Sequence, residues 1–205
     1  MSLVLHFVLG FIVSFLGMIT PSMLNMTAAK ISLNKSKKEA VKFAIGVSII
    51  VLFQAYLAIL FTKFLSSNPD FVLTLQKVSI VIFGILSFYF FRQSIKERKD
   101  ELMVKESSKN SLIIGLFLSS LNMFSIPFYC GVTSALDMAG WLILTQHNMI
   151  MFVVGSSLGT FLLLYLYAEK ASFIQLKARG LAKNLNFSLS VLTGLIALIT
   201  LVKVF

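Results

Sequence analysis

Long apolar runs alternate with short basic connectors along the chain. Six runs stand out, at residues 3–26, 40–64, 71–91, 111–136, 149–168 and 187–205. Each is near the ~20 residues that cross the hydrocarbon core of a bilayer. Lipid offers no hydrogen-bond partner to the backbone, so each run is expected to be an α-helix; barrel strands would be shorter and would alternate polar with apolar. The pattern predicts an all-α integral membrane protein with six transmembrane helices in a single membrane domain over residues 1–205. The first run has no basic leader and no small-residue cleavage site, so it reads as a retained span.

The connectors set the orientation. Lys30, Lys35, Lys37, Lys38 and Lys42 mark the first; Arg92, Lys96, Arg98, Lys99, Lys105 and Lys109 the third; Lys170, Lys177, Arg179 and Lys183 the fifth. These are fifteen of the eighteen basic residues. The second and fourth connectors hold almost none. Basic loops stay in the cytoplasm, so both termini are predicted to face outward, with Trp141 an interfacial anchor on the outer side. Lys63, Lys77 and Lys203 read as snorkelling residues near the outer interface. A gating role for Lys77 or for Asp137 stays open.

Composition agrees with this class. Hydrophobic residues make up 58% and charged residues 13% of the chain, with a mean hydropathy of +0.92, far from soluble-domain averages. The net charge of +10 reflects the loop lysines and arginines, so it points to membrane orientation and not to nucleic acid. Cys130 is the single cysteine, which excludes an intramolecular disulfide or a CxxC pair. The lipid bilayer is the expected surrounding, and no cofactor is called for.

An internal similarity shapes the architecture. GFIVSFLGMITP at residues 10–21 resembles GLFLSSLNMFSIP at 115–127. With a shift of 105 residues, Gly10 meets Gly115, Ser14 meets Ser119, Leu16 meets Leu121 and Met18 meets Met123. Each stretch opens a three-span half: residues 1–91 and 111–205, joined by a cytoplasmic connector at 92–110. Three is an odd number, so halves in series insert with opposite orientation. Such inverted three-helix repeats recur in secondary transporters, with the substrate site near the midplane.

Chemistry is scarce inside the spans. No Asp or Glu lies well within one, no Cys/His/carboxylate set has metal-ligand spacing, and phosphate-loop and hydrolase motifs are absent, so no metal site and no enzyme activity is expected. What remains is polar but uncharged. Pro21 and Asn25 fall in the first run, Gln54 in the second, and Asn122 and Pro127 in the fourth. A proline inside a helix frees the carbonyl one turn earlier, which must find a partner or line a cavity. Two such breaks, one per half, point to a transporter binding site. These five are the candidate substrate-binding residues. Gln54 reads equally well as interhelical glue. GSSLGT at residues 155–160 allows close helix approach, and a homo-oligomer stays open.

With these residues in view, the chain resembles the lysine-exporter (LysE-type) translocator family of bacterial amino-acid exporters. In that family the first span ends in Pro-Gly-Pro, and a basic loop and a glycine early in the second helix come next. Pro21 matches the second proline, KSKK at residues 35–38 matches the basic loop, and Gly46 matches the helix-two glycine. GLFLSSLN at 115–122 matches the start of the family's fourth span. Ile19 and Thr20 stand where the family has Pro and Gly, and Met123 and Phe124 where Pro-Lys comes after the asparagine. The resemblance implies a bacterial inner-membrane exporter of a small amino acid or related metabolite working by alternating access, with a small amino-acid-like molecule as its partner. A non-transporting membrane subunit or scaffold is an alternative. A metal-ion exporter lacks His or carboxylate ligands in the spans, and a thiol-disulfide electron carrier lacks the second cysteine.

Overall fold

A computed structural model of the chain describes residues 3–19, 22–95, 110–122, 124–174, 190–191 and 193–202. The helices are α1 (Leu3–Gly17), α2 (Met23–Asn34), α3 (Lys37–Ser66), α4 (Pro69–Ile95), α5 (Ser111–Ser120), α6 (Ser125–Met138) and α7 (Gln146–Glu169), followed by α8 (Thr193–Val202). No strand occurs among the described residues. Among them, α3 and α7 are each long and apolar enough to cross a membrane. The pair α5–α6, bent by 63° at a break, makes a third if counted as one span. Pro21, most of the third connector, Lys177, Arg179, Lys183 and Lys203 lie outside the described residues.

The first run is not one helix. It breaks after Gly17, and α2 takes up what the lysine pattern marks as the start of a loop. Ser22 caps α2, its Oγ accepting from the Asn25 N–H at 3.4 Å, as an N-cap serine should. Leu24, Ala28 and Ile31 are buried at helical spacing. The first connector thereby shrinks to Lys35 and Ser36. Ser36 then starts α3, accepting from the Glu39 N–H at 3.2 Å. At the other end of a helix, Gly140 has φ 71° and closes α6. The Trp141 and Gly140 N–H groups donate to the Leu136 and Asp137 carbonyls at 2.9 Å each, the Schellman arrangement that favours glycine.

Two compact units form. One comprises Met1–Phe64 with Ser108–Leu176; it contains α1, α2, α3 as far as Phe64, α5, α6 and α7. Its core includes Phe43, Val47, Ala55, Ile59, Phe152 and Leu164. Two glycine crossings hold the helices close. A Cβ at Gly10 would overlap the Phe152 carbonyl, and one at Gly155 the Phe7 carbonyl, locking α1 to α7. A Cβ at Gly115 would overlap the Phe43 carbonyl, and one at Gly46 the Leu112 carbonyl, locking α5 to α3. The crossings correspond residue by residue. Phe7 and Gly10 map to Leu112 and Gly115 by a shift of 105, and Phe43 and Gly46 to Phe152 and Gly155 by a shift of 109. Backbones in lipid gain by such close approach, because dispersion replaces the missing hydrophobic drive.

The second unit comprises Leu65–Ser107 with Lys177–Phe205 and contains α4 and α8. Ser87 Oγ donates to the Ser190 carbonyl at 2.9 Å, and Ser190 Oγ to the Ser87 carbonyl at 3.0 Å. Gly194 faces Ser87 where a side chain would crowd it. Lys77 is exposed on α4.

Candidate functional site

A broken helix leaves carbonyls without their i+4 donors, and the first break shows where they turn. Met18 O accepts from Asn25 Nδ2 at 2.5 Å. Ile19 O accepts from the Tyr167 hydroxyl at 2.7 Å. Tyr167 and Asn25 also interact through their side chains. Asn25, fully buried, therefore folds back from α2 to cap α1, while Tyr167 reaches in from α7. In this conformation the freed carbonyls are held by the protein's own groups.

The second break lies between α5 and α6. Ser119 O accepts from Gln54 Nε2 at 2.9 Å and from the Asn122 N–H at 3.0 Å. Gln54 and Asn122 thus meet on one carbonyl. Asn122 Nδ2 donates to Ser125 Oγ at 2.9 Å. Gln54 is 7% exposed, and its Oε1 is buried with no hydrogen-bond partner. Pro127 is not at the break itself. It occupies the first turn of α6 and is exposed, where a helix needs no N–H from it; the residue four before it, Met123, lies outside the described residues.

The two broken helices touch. Phe128 packs on Gly17, where a methyl would strike the ring, and stands edge-on to Tyr129 with centroids 5.3 Å apart. Ser14 Oγ and the Tyr129 hydroxyl are 2.6 Å apart. The last turn of α1 thereby docks on the first turn of α6, with one break immediately beyond each. Thr160 of α7 lies beside the same phenol. Nothing in the sequence singles out Tyr129, Tyr167 or Thr160 beyond the rarity of tyrosine among the aliphatic residues.

The poles of this unit differ. At one, His6, fully buried, accepts at Nε2 from the Ile143 N–H at 3.2 Å, and Asn148 Nδ2 donates to the Ile143 carbonyl at 3.2 Å. His6 is therefore a structural clamp on the turn after α6. At the other pole Lys37 pairs with Glu169 at 2.6 Å, Ser32 Oγ donates to the Ala168 carbonyl at 2.7 Å, and Ser111 Oγ donates to Glu39 Oε2 at 2.6 Å. Both Lys37 and Glu169 are exposed, so the pair adds little to stability. Its effect is to tie the start of α3 to the end of α7. Lys37→Ala is expected to leave the melting temperature nearly unchanged. Differential scanning fluorimetry checks that outcome. Among the described residues no three His, Cys, Asp or Glu side chains gather as a metal site.

A family model described as LysE type translocator matches residues 15–203. No curated protein and no solved structure gives a significant match.

Proposed function

The chain belongs to the LysE type translocator family, and from that premise we propose that it is a secondary transporter exporting a small amino acid or related metabolite across the inner membrane by alternating access, driven by an ion gradient. The contact that carries this reading is the meeting of the two broken helices at Ser14 and Tyr129. Discontinuous helices meeting at the repeat interface are how inverted-repeat transporters build a substrate site. The matched glycine crossings and the reciprocal Ser87–Ser190 bonds support two inverted three-helix repeats. In that scheme α1–α2, α3, α4, α5–α6, α7 and the α8 segment are the six spans. The lysine-rich pole is cytoplasmic, with both termini outside.

Asn25, Gln54 and Asn122 supply hydrogen bonds to the cargo, and carbonyls near Pro21 and Pro127 join them once their internal partners let go. In the first unit the buried polar side chains are Ser, Thr, Asn, Gln and one His, with no Asp, Glu, Lys or Arg among the described residues. That lining favours a cargo without a charged side chain, because a net buried charge needs a countercharge, whereas a zwitterion's carboxylate brings its own ammonium and needs only hydrogen bonds. Efflux from loaded proteoliposomes tests the assignment. Gln54→Leu is expected to slow release by about tenfold, the loss of one or two buried hydrogen bonds to cargo, with helical content unchanged by circular dichroism. Release at the wild-type rate would remove Gln54 from the site.

A further inference from the structure

We propose that Ser14, Tyr129 and Thr160 form a further cargo contact, a neutral hydroxyl cluster that receives the carboxylate of a small zwitterion. This deepens the transporter reading above and rests on it. The three side chains come from α1, α6 and α7 and are 0%, 3% and 0% exposed.

Hydroxyls in membrane helices ordinarily satisfy themselves on the carbonyl four residues back. Thr27, Ser48 and Thr133 do so, donating to Met23, Ala44 and Tyr129. Ser14 does not. Its own i−4 carbonyl, Gly10, accepts instead from Ser156 Oγ at 3.3 Å, and Ser14 turns to the phenol. Thr160 Oγ1 is buried and turns to that phenol without forming a well-made hydrogen bond.

Counting hydrogens defines the ligand. Three hydroxyls bring three donors, and the Ser14–Tyr129 bond uses one. Thr160's donor has only the phenol oxygen beside it to turn to, without a well-formed bond, and among the described residues no acceptor outside the cluster takes the hydrogen left on Ser14 or Tyr129. A valine at 160 would fill the same volume without stranding a polar atom, so the hydroxyl is unfavourable for the fold alone. A cluster with surplus donors and no charge fits a group that only accepts, and an ionised carboxylate is the acceptor-only group a zwitterion offers. A bound cation would want about six oxygens, more than this cluster provides. The cluster also lies beside both breaks, where cargo released from one face must pass.

The test uses the full chain in proteoliposomes loaded with an equimolar mixture of neutral L-amino acids and the amino alcohol matching each, with release followed by mass spectrometry. Wild type is expected to release acids well ahead of alcohols. Thr160→Val and Tyr129→Phe should each slow release of the acids by about tenfold while shifting the alcohols less than about twofold, because only the acid loses a charge-assisted bond. Thr160→Val should also melt no lower than wild type. An acid-to-alcohol ratio unchanged in both variants, with wild-type release intact, overturns the hydroxyl cluster and leaves the transporter reading standing. Wild-type release no faster than from protein-free vesicles overturns the transporter reading itself, and the cluster with it.

Discussion

Gly115→Leu is expected to abolish folded protein almost completely. A Cβ at this position overlaps the Phe43 carbonyl and crowds the Val47 nitrogen. Both obstacles are backbone atoms of α3, so no side chain can swing away, and relief requires that α5 and α3 separate. Overpacking in a core costs roughly 1–3 kcal/mol even where side chains yield, and here the whole crossing must open. Gly46→Leu strikes the Leu112 carbonyl of the same crossing and should fail alike. The contrast is Gly131 on α6, where an added Cβ meets nothing within 4 Å. Gly131→Ala should accumulate as well as wild type and gain up to about 1 kcal/mol from helix propensity. Monodisperse yield on detergent size-exclusion chromatography separates the two outcomes. Equal yields for Gly115→Leu and Gly131→Ala would contradict the crossing.

Asn25→Leu is expected to have the second-largest effect. It removes the donor to Met18 O and the side-chain partner of Tyr167 at a fully buried position. A buried carbonyl left unpaired costs about 1–3 kcal/mol, and the loss falls at the break that must rearrange during transport. Thermal unfolding should therefore come several degrees lower, and efflux should be lost more completely than in the conservative Asn25→Gln. Tyr167→Phe removes the hydroxyl that holds Ile19 O and should lower stability in the same direction by a smaller amount, since the ring stays. If Asn25→Leu melted and transported as wild type does, the cap at the first break would have no mechanical role.

The sequence was readable where physics is local. Residues 40–64 and 149–168 read as spans because apolar length alone decides a membrane helix, and α3 and α7 run close to those limits. The shared GFIVSFLG and GLFLSSLN patterns marked Gly10 and Gly115, which prove to be the tight positions of both crossings. What stayed hidden was local structure overridden by charge and contacts between distant residues. Lys30 made residues 27–34, the later part of α2, look like a loop, although Thr27, Ala28 and Ala29 beside it are buried. Pro127 pointed to a break that lies just before it, because proline is comfortable in a first turn. Ser14 and Tyr129 are 115 positions apart, and Tyr167 and Ile19 are 148 apart. No periodicity within a window relates residues so distant, so the site's tyrosines emerge only once the helices are packed.

Alternating access of the kind proposed requires the lysine-rich pole to open, parting α3 from α7. Cysteines replacing Lys37 and Glu169 in a Cys130→Ser background place two thiols where the pole is now tied by an ion pair. A short, reducible bifunctional thiol crosslinker spanning them should stop efflux from proteoliposomes, and reduction should restore it. Full efflux through crosslinked protein would contradict the account.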